Sequence, residues 1–314
     1  MSGRDLGASV RQRLLNQARS QGRPFQELLQ YFAMERFLYR LAKSPFADRF
    51  ILKGALLLTA WRAPVARPTM DIDLAGKTNN ELEHIRSLVG EVCEFATEPD
   101  GIEFVAASIE VQRIKEDAEY EGVRVRFNAT LAKARIPMQI DIGFGDVIVP
   151  RPIEIEYPAK LDFPAPVLMA YPKETVVAEK LEALTVLGLL NSRIKDYYDI
   201  ALLARLYPFD GDLLAEAIRF DLSTSWNHNR CDPSWIDRCF QRRPRTGRTV
   251  ASIRPPEQIR IRIRFGRDHG ASAALRLSAI VGDSAGGLLR SQVEARRTVG
   301  VTLTPPSPRG YGGC

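Results

Sequence analysis

The segment Met70-Asp71-Ile72-Asp73-Leu74 constrains this chain more than any other, because it alternates acidic and aliphatic residues as a half-buried strand does. With a side-chain period of two, Asp71 and Asp73 leave one face while Ile72 and Leu74 enter the core. Two carboxylates side by side repel, and burying them uncompensated costs on the order of several kcal/mol per ion. A divalent cation removes that penalty. Mg²⁺ takes oxygen ligands, usually one or two carboxylates completed by water and substrate phosphates. A paired-ion site needs carboxylates shared between ions about 3.5–4 Å apart. Ile140-Asp141-Ile142 repeats the motif in a second apolar run and supplies a third acid. An acid in an otherwise apolar strand requires a partner. Asp71, Asp73 and Asp141 are therefore the expected metal ligands and catalytic carboxylates. The competing readings are a solvated edge for the pair and an ordinary strand salt bridge for Asp141.

The rest of the chain reads as helices around a small sheet. Val10, Leu14, Leu15 and Ala18 form a helical stripe, and Pro24 opens a second helix through Phe25, Leu28, Leu29 and Phe32 towards Leu41. Residues 50–59 fit a helix or a buried strand equally well. Asn80 is placed to cap a helix striped by Leu82, Ile85, Leu88 and Val92. Strands are expected at 108–114, 123–127 and 136–144. After Pro172 a helix carries Val176, Val177, Leu181 and Leu184 and ends at Gly188. Ser192 caps the next helix, through Tyr197, Ile200 and Leu203, and residues 212–219 form one more. Helices, then a mixed sheet with an inserted helix, then a helical bundle define an α+β fold.

Charge divides the chain. Residues 1–220 hold 28 Lys+Arg against 31 Asp+Glu, whereas residues 221–314 hold 16 against 7, so the net charge of +6 belongs to the tail. All nine lysines lie at or before Lys195, and beyond it the only strong cations are arginines. Pro305, Pro306, Pro308 and the terminal glycines read as unstructured. Residues 221–314 are accordingly expected to be either a frame-shifted reading of a GC-rich gene or an arginine-rich nucleic-acid-binding tail. Cys231, Cys239, His228 and His269 lack zinc-site spacing. The expected division is a catalytic domain at 1–165, a helical domain at 166–220 and the tail. No apolar run approaches the ~20 residues needed to span a bilayer, and the polar N-terminus implies a cytoplasmic protein.

A glycine-containing turn, a strand acid pair and a lone acid between hydrophobic residues form the layout of polymerase-β-like nucleotidyltransferases. More specifically, Phe50-Ile-Leu-Lys-Gly-Ala-Leu, Arg67-Pro-Thr-Met-Asp-Ile-Asp, Asp141-Ile-Gly-Phe-Gly-Asp, Tyr171-Pro-Lys-Glu-Thr-Val-Val-Ala-Glu-Lys-Leu-Glu-Ala-Leu and Asn191-Ser-Arg-Ile-Lys-Asp-Tyr-Tyr-Asp-Ile resemble, in order, the blocks of the AbiEii/AbiGii toxin family. The resemblance covers roughly residues 10–220. It implies a type IV toxin of a toxin–antitoxin or phage-defence system that transfers a nucleotide from an NTP, with tRNA or another RNA as acceptor and an antitoxin encoded nearby. It also implies that Asp71 and Asp73 hold Mg²⁺, that Asp141 completes the metal or base position, and that Lys180 and Asp196 match the later catalytic motifs. A lysine such as Lys180 grips a triphosphate as a point charge, whereas without the resemblance it reads as a solvated residue beside Glu179 and Glu182. Asp199, on the same helix face as Asp196, is placed to hold it.

Lys53, Gly54, Arg67 and Thr69 flank the pair as candidate nucleotide contacts. One departure stands out. Gly-Gly or Gly-Ser is usual in the first block, and this chain has Gly54-Ala55, which offers no hydroxyl to a phosphate and restricts left-handed backbone. The alternative function is therefore a catalytically impaired NTP- or partner-binding protein on the same fold.

Overall fold

The computed structural model describes residues 3–63, 68–115, 121–187, 194–226, 250–253, 259–267 and 273–281. Two compact units divide it, one formed by 1–147 and 151–171 and the other by 148–150 and 172–314. The first contains helices α1 (Gly3–Gln21), α2 (Phe25–Lys43), α3 (Leu56–Ala60) and α4 (Leu82–Glu94). Its strands are β1 (Phe50–Lys53), β2 (Asp71–Gly76), β3 (Ile102–Lys115), β4 (Glu121–Leu131), β5 (Ala134–Phe144), β6 (Ile153–Glu156) and β7 (Val167–Ala170). They form one mixed sheet in the order β3-β4-β5-β2-β1-β7-β6. The pairs β2–β5 and β1–β7 are parallel and the others antiparallel. The α+β fold and the strands at 108–114, 123–127 and 136–144 are as expected.

Alternation along the strands separates two faces. Ile72, Leu74, Ile140, Ile142, Val123, Val125 and Phe127 are buried. Helix α2 packs on this face, with Phe37 against both Phe104 and Phe127 at ring-centroid distances of 5.7 and 5.6 Å. The helix is more deeply embedded than its apolar stripe implies, since every residue from Leu28 to Leu41 is buried. Four charged side chains go with it into the interior. The Asp100 carboxylate accepts from Arg36 Nε at 3.0 Å and from Arg40 Nη2 at 3.1 Å, and Glu35 accepts the Lys160 backbone N–H at 2.7 Å.

Several local expectations change. Residues 50–59 are both strand and helix: β1 ends at Lys53, Gly54 turns the chain with φ +71°, and α3 starts at Leu56. Asn80 does not cap α4; the Asn79 side chain instead accepts the Glu81 N–H at 2.8 Å. Strands β6 and β7 have no clear periodic signal, being four residues each with exposed Ile153 and Val167.

The second unit holds helices α5 (Lys173–Leu187), α6 (Ile194–Leu206) and α7 (Gly211–Trp226), and strands β8 (Val250–Ile253), β9 (Ile259–Arg267) and β10 (Ala273–Val281). The expected stripe of Val176, Val177, Leu181 and Leu184 is buried, as are Ile200 and Leu203. Helix α7 starts where Asp210 Oδ1 accepts the N–H groups of Asp212 and Leu213 at 2.9 and 3.1 Å, an N-cap that precedes the expected helix start. The caps proposed at Gly188 and Ser192, the tail residues Cys231, Cys239, His228 and His269, and residues 282–314 lie outside the described residues. Among the described residues, no helix is long and apolar enough to cross a membrane.

Candidate active site

The acids occupy adjacent central strands on the polar face of the sheet. Asp73 of β2 is in register with Asp141 of β5 on one side and with Lys53 of β1 on the other. Asp141 is in turn opposite Arg124 of β4. Register partners share a face, so Lys53, Asp73, Asp141 and Arg124 form one row across four strands spaced about 4.8 Å apart. Asp71, two residues earlier on β2, begins a parallel row through Gln139 and Arg126. Ile72 and Leu74 are buried on the opposite face, whereas Asp71 and Asp73 are half-buried. The pairing of β2 with β5 thus brings all three acids onto one face of the sheet.

Gly54 packs directly against Asp73. A Cβ built at Gly54 would stand 1.9 Å from Asp73 Oδ2, so only glycine lets this turn lie against that carboxylate. The left-handed backbone falls on Gly54 (φ +71°), while Ala55 is right-handed at φ −71°. The concern that Ala55 restricts the backbone is thereby answered: the left-handed conformation is required one residue earlier. Ala55 still offers no hydroxyl.

The flanking cations are both engaged. Lys53, only 6% exposed, donates to Asp146 Oδ2 at 3.0 Å, and that oxygen also accepts the Tyr171 hydroxyl at 2.5 Å. Burial pushes the Asp146 carboxyl up, but the Lys53 charge and the Tyr171 hydroxyl outweigh it and hold it below the ordinary range. On the other flank, Arg124 grips Asp141 in a fork, Nε to Oδ1 and Nη2 to Oδ2, both at 2.7 Å. Gln139 Nε2 adds a longer contact of 3.4 Å. Asp146, Tyr171 and Arg124 were not among the expected site residues. The signal for Arg124 was present in the alternation of β4, but only strand pairing shows that it faces Asp141.

Hard oxygen donors on one face and a glycine turn that leaves Asp73 room suit Mg²⁺ together with a polyphosphate. Asp71 and Asp73 would provide the donors for such an ion. Asp141 adjoins them, but both its oxygens are on Arg124. Among the described residues, no three His, Cys, Asp or Glu side chains form a ready metal cage.

The remaining expected residues are distributed as follows. Thr69 precedes β2, is buried, and donates its backbone N–H to the Tyr31 hydroxyl at 3.2 Å. Arg67 lies outside the described residues. Lys180 and Asp196 meet in the second unit. Lys180 Nζ lies 3.0 Å from Asp196 Oδ1 and 3.0 Å from Asp199 Oδ2, with Asp199 fully buried. Burial lowers the Lys180 pKa, but the two carboxylates reverse this and raise it above its ordinary value.

A mixed sheet with a glycine turn against one central-strand carboxylate and a second acid in register beside it defines a nucleotidyltransferase core. The chain belongs to the nucleotidyl transferase AbiEii toxin family of type IV toxin–antitoxin systems, which it matches over residues 36–266. Nucleotidyl transfer is accordingly its enzymatic class. The match continues beyond residue 220, where the sequence resemblance was placed to end, and so includes part of the arginine-rich segment. No curated protein matches the chain. Among solved structures, MenT4, a nucleotidyltransferase toxin from Mycobacterium tuberculosis H37Rv, is similar at 21% identity and TM-score 0.48, covering 71% of this chain and 72% of that one. JHP933 from Helicobacter pylori is similar at 18% identity and TM-score 0.40, covering 67% and 87%. An antigenic nucleotidyltransferase-like protein from Paracoccidioides brasiliensis has 11% identity and TM-score 0.37, covering 64% and 90%.

Proposed function

We propose that this toxin uses Mg²⁺ and an NTP to place a nucleotide on the hydroxyl of an RNA acceptor, tRNA being the leading candidate. The observation that carries the reading is the register of Asp73 with Asp141, which brings acids from separate stretches of chain onto one face. The acceptor oxygen forms a bond to the α-phosphorus, the bond to the β-phosphate bridge breaks, and pyrophosphate leaves. Asp71 and Asp73 would hold Mg²⁺, which would supply charge neutralisation and make the acceptor hydroxyl easier to deprotonate. The Gly54 turn, lacking a Cβ, fixes the place of the Asp73 carboxylate that packs against it. Asp141 is the third acid of the set, at the metal or base position. We assign Lys180, whose ammonium Asp196 and Asp199 hold, to the catalytic set as the later motifs of the family imply. Lys53 and Thr69 are buried and engaged, so we assign them support of the site in preference to direct phosphate contact.

Support for a polyanionic acceptor comes from the same sheet face. Beyond the acids it continues through Arg126, which donates to Gln139 at 3.0 Å, and Arg135, which donates to Asn128 at 2.8 Å; both arginines are exposed. Such forks suit phosphate oxygens. An antitoxin encoded nearby would be the protein partner, and we place the activity in the cytoplasm.

The test is incubation with labelled NTPs, Mg²⁺ and total RNA. Label in RNA that disappears with chelator or in Asp71→Ala supports the reading. A fully active Asp71→Ala protein would contradict it. Retention of NTP without transfer would favour the impaired binding protein, which the absence of a hydroxyl at Ala55 keeps in view.

A further inference from the structure

The arrangement of Arg124 and Asp141 carries an inference about how the site is assembled, and it rests on the proposed cation site at Asp71 and Asp73. Asp141 is in register with Asp73, the position from which it would join a shared ion. Yet its two oxygens are held by one guanidinium at 2.7 Å each, and the Asp141 side chain is only 11% exposed. A carboxylate gripped by both prongs of an arginine has its best lone pairs directed at that arginine. Arg124 itself is 28% exposed, so the guanidinium has solvent on one side.

We propose that Arg124 is a positioning residue that latches Asp141 away from the divalent cation in the nucleotide-free protein. The resting cation site is then the two-carboxylate pair, and Asp141 joins only when Arg124 releases at least one oxygen. A triphosphate is the group suited to draw it off, because phosphate oxygens accept the same fork that a carboxylate does. The latch would keep the toxin from assembling a three-carboxylate site on free metal alone.

Mn²⁺ titration of the full chain without nucleotide, followed by electron paramagnetic resonance, tests this. Arg124→Lys keeps the charge but loses the fork, so it should bind Mn²⁺ roughly tenfold more tightly than the wild type, the scale on which partners of metal ligands act. In an Asp141→Asn background the same substitution should change nothing. A thermal melt of each variant confirms that the affinities are those of folded protein.

The proposal is overturned if Arg124→Lys leaves the affinity unchanged or weakens it, as loss of a purely structural contact would. It is also overturned if the gain persists without the Asp141 carboxylate. Failure of the underlying cation site looks different: the wild type would then show no Mn²⁺ binding that is lost in Asp71→Asn. Mn²⁺ binding that depends on Asp71 and is indifferent to Arg124 would leave the site intact and remove the latch.

Discussion

Gly54 shows how much one residue can carry. Its positive φ and the 1.9 Å approach of a built Cβ to Asp73 Oδ2 act together, one on the backbone and the other on the carboxylate. Gly54→Ala should therefore lower stability by about 1 kcal/mol or more, from the left-handed backbone alone. It should abolish nucleotide transfer through displacement of Asp73. A melt and a label-transfer assay on the same preparation check both effects, and an active, fully stable variant would sink the account. Glu35 carries a different consequence. Burial pushes its carboxyl from an ordinary 4.5 up to about 7, despite the Lys160 N–H and the Arg36 guanidinium. Between those values the folded chain holds a proton that the unfolded chain has released, so stability contributed by this group falls as pH rises through that window. Glu35→Gln keeps an acceptor for Lys160 and should flatten the melting temperature between pH 4.5 and 7, raising it most at the upper end. Parallel melting curves for the two proteins would refute this.

At the level of elements, α2 is tied to its surroundings by charge as well as by apolar packing. Asp100 precedes β3 and receives Arg36 and Arg40 from α2, besides the Ile102 N–H at 3.1 Å. Removing one partner of a buried ion network strands the others, so Asp100→Ala should cost about 3–5 kcal/mol in a denaturant titration. A cost below 1 kcal/mol would mean that water or relaxation compensates the arginines. Strands β4 and β5 present the second element-scale prediction. Arg126→Glu together with Arg135→Glu reverses two exposed charges without touching the acids. Transfer to RNA should fall at least tenfold through KM and become less salt-dependent, while Mn²⁺ binding stays unchanged. An unaltered KM would remove this surface from acceptor binding.

The whole chain poses a question of boundaries. Composition changes near residue 220, yet the family match runs through 266 and three antiparallel strands occur between 250 and 281. The proposal of a frame-shifted tail is therefore best confined to the residues after 266. On that reading limited proteolysis removes the last part of the chain first and leaves a product ending beyond 220. A protected product that includes the final thirty or so residues would exclude a frame-shifted end. Salt-sensitive RNA affinity that vanishes when the tail is cleaved would support the arginine-rich binding reading instead.

Much of the molecule was legible because period and chemistry agree. Asp71, Asp73 and Asp141 each lie between apolar residues, so alternation along each strand turns its acids away from Ile72, Leu74, Ile140 and Ile142, which enter the core. Local pattern likewise identified the helices of α1, α4 and α5. Strands β6 and β7 escaped because four residues are too few to show a period. The burial of α2 on all sides escaped because its arginines look solvated until Asp100, distant in sequence, is folded against them. What the sequence by itself determined is the direction each side chain takes along its own strand or helix, since that follows from local backbone geometry. Which strands are neighbours depends on long-range pairing, and tertiary structure alone decided that Lys53 meets Asp146, that Gly54 presses on Asp73, and that Arg124 holds Asp141.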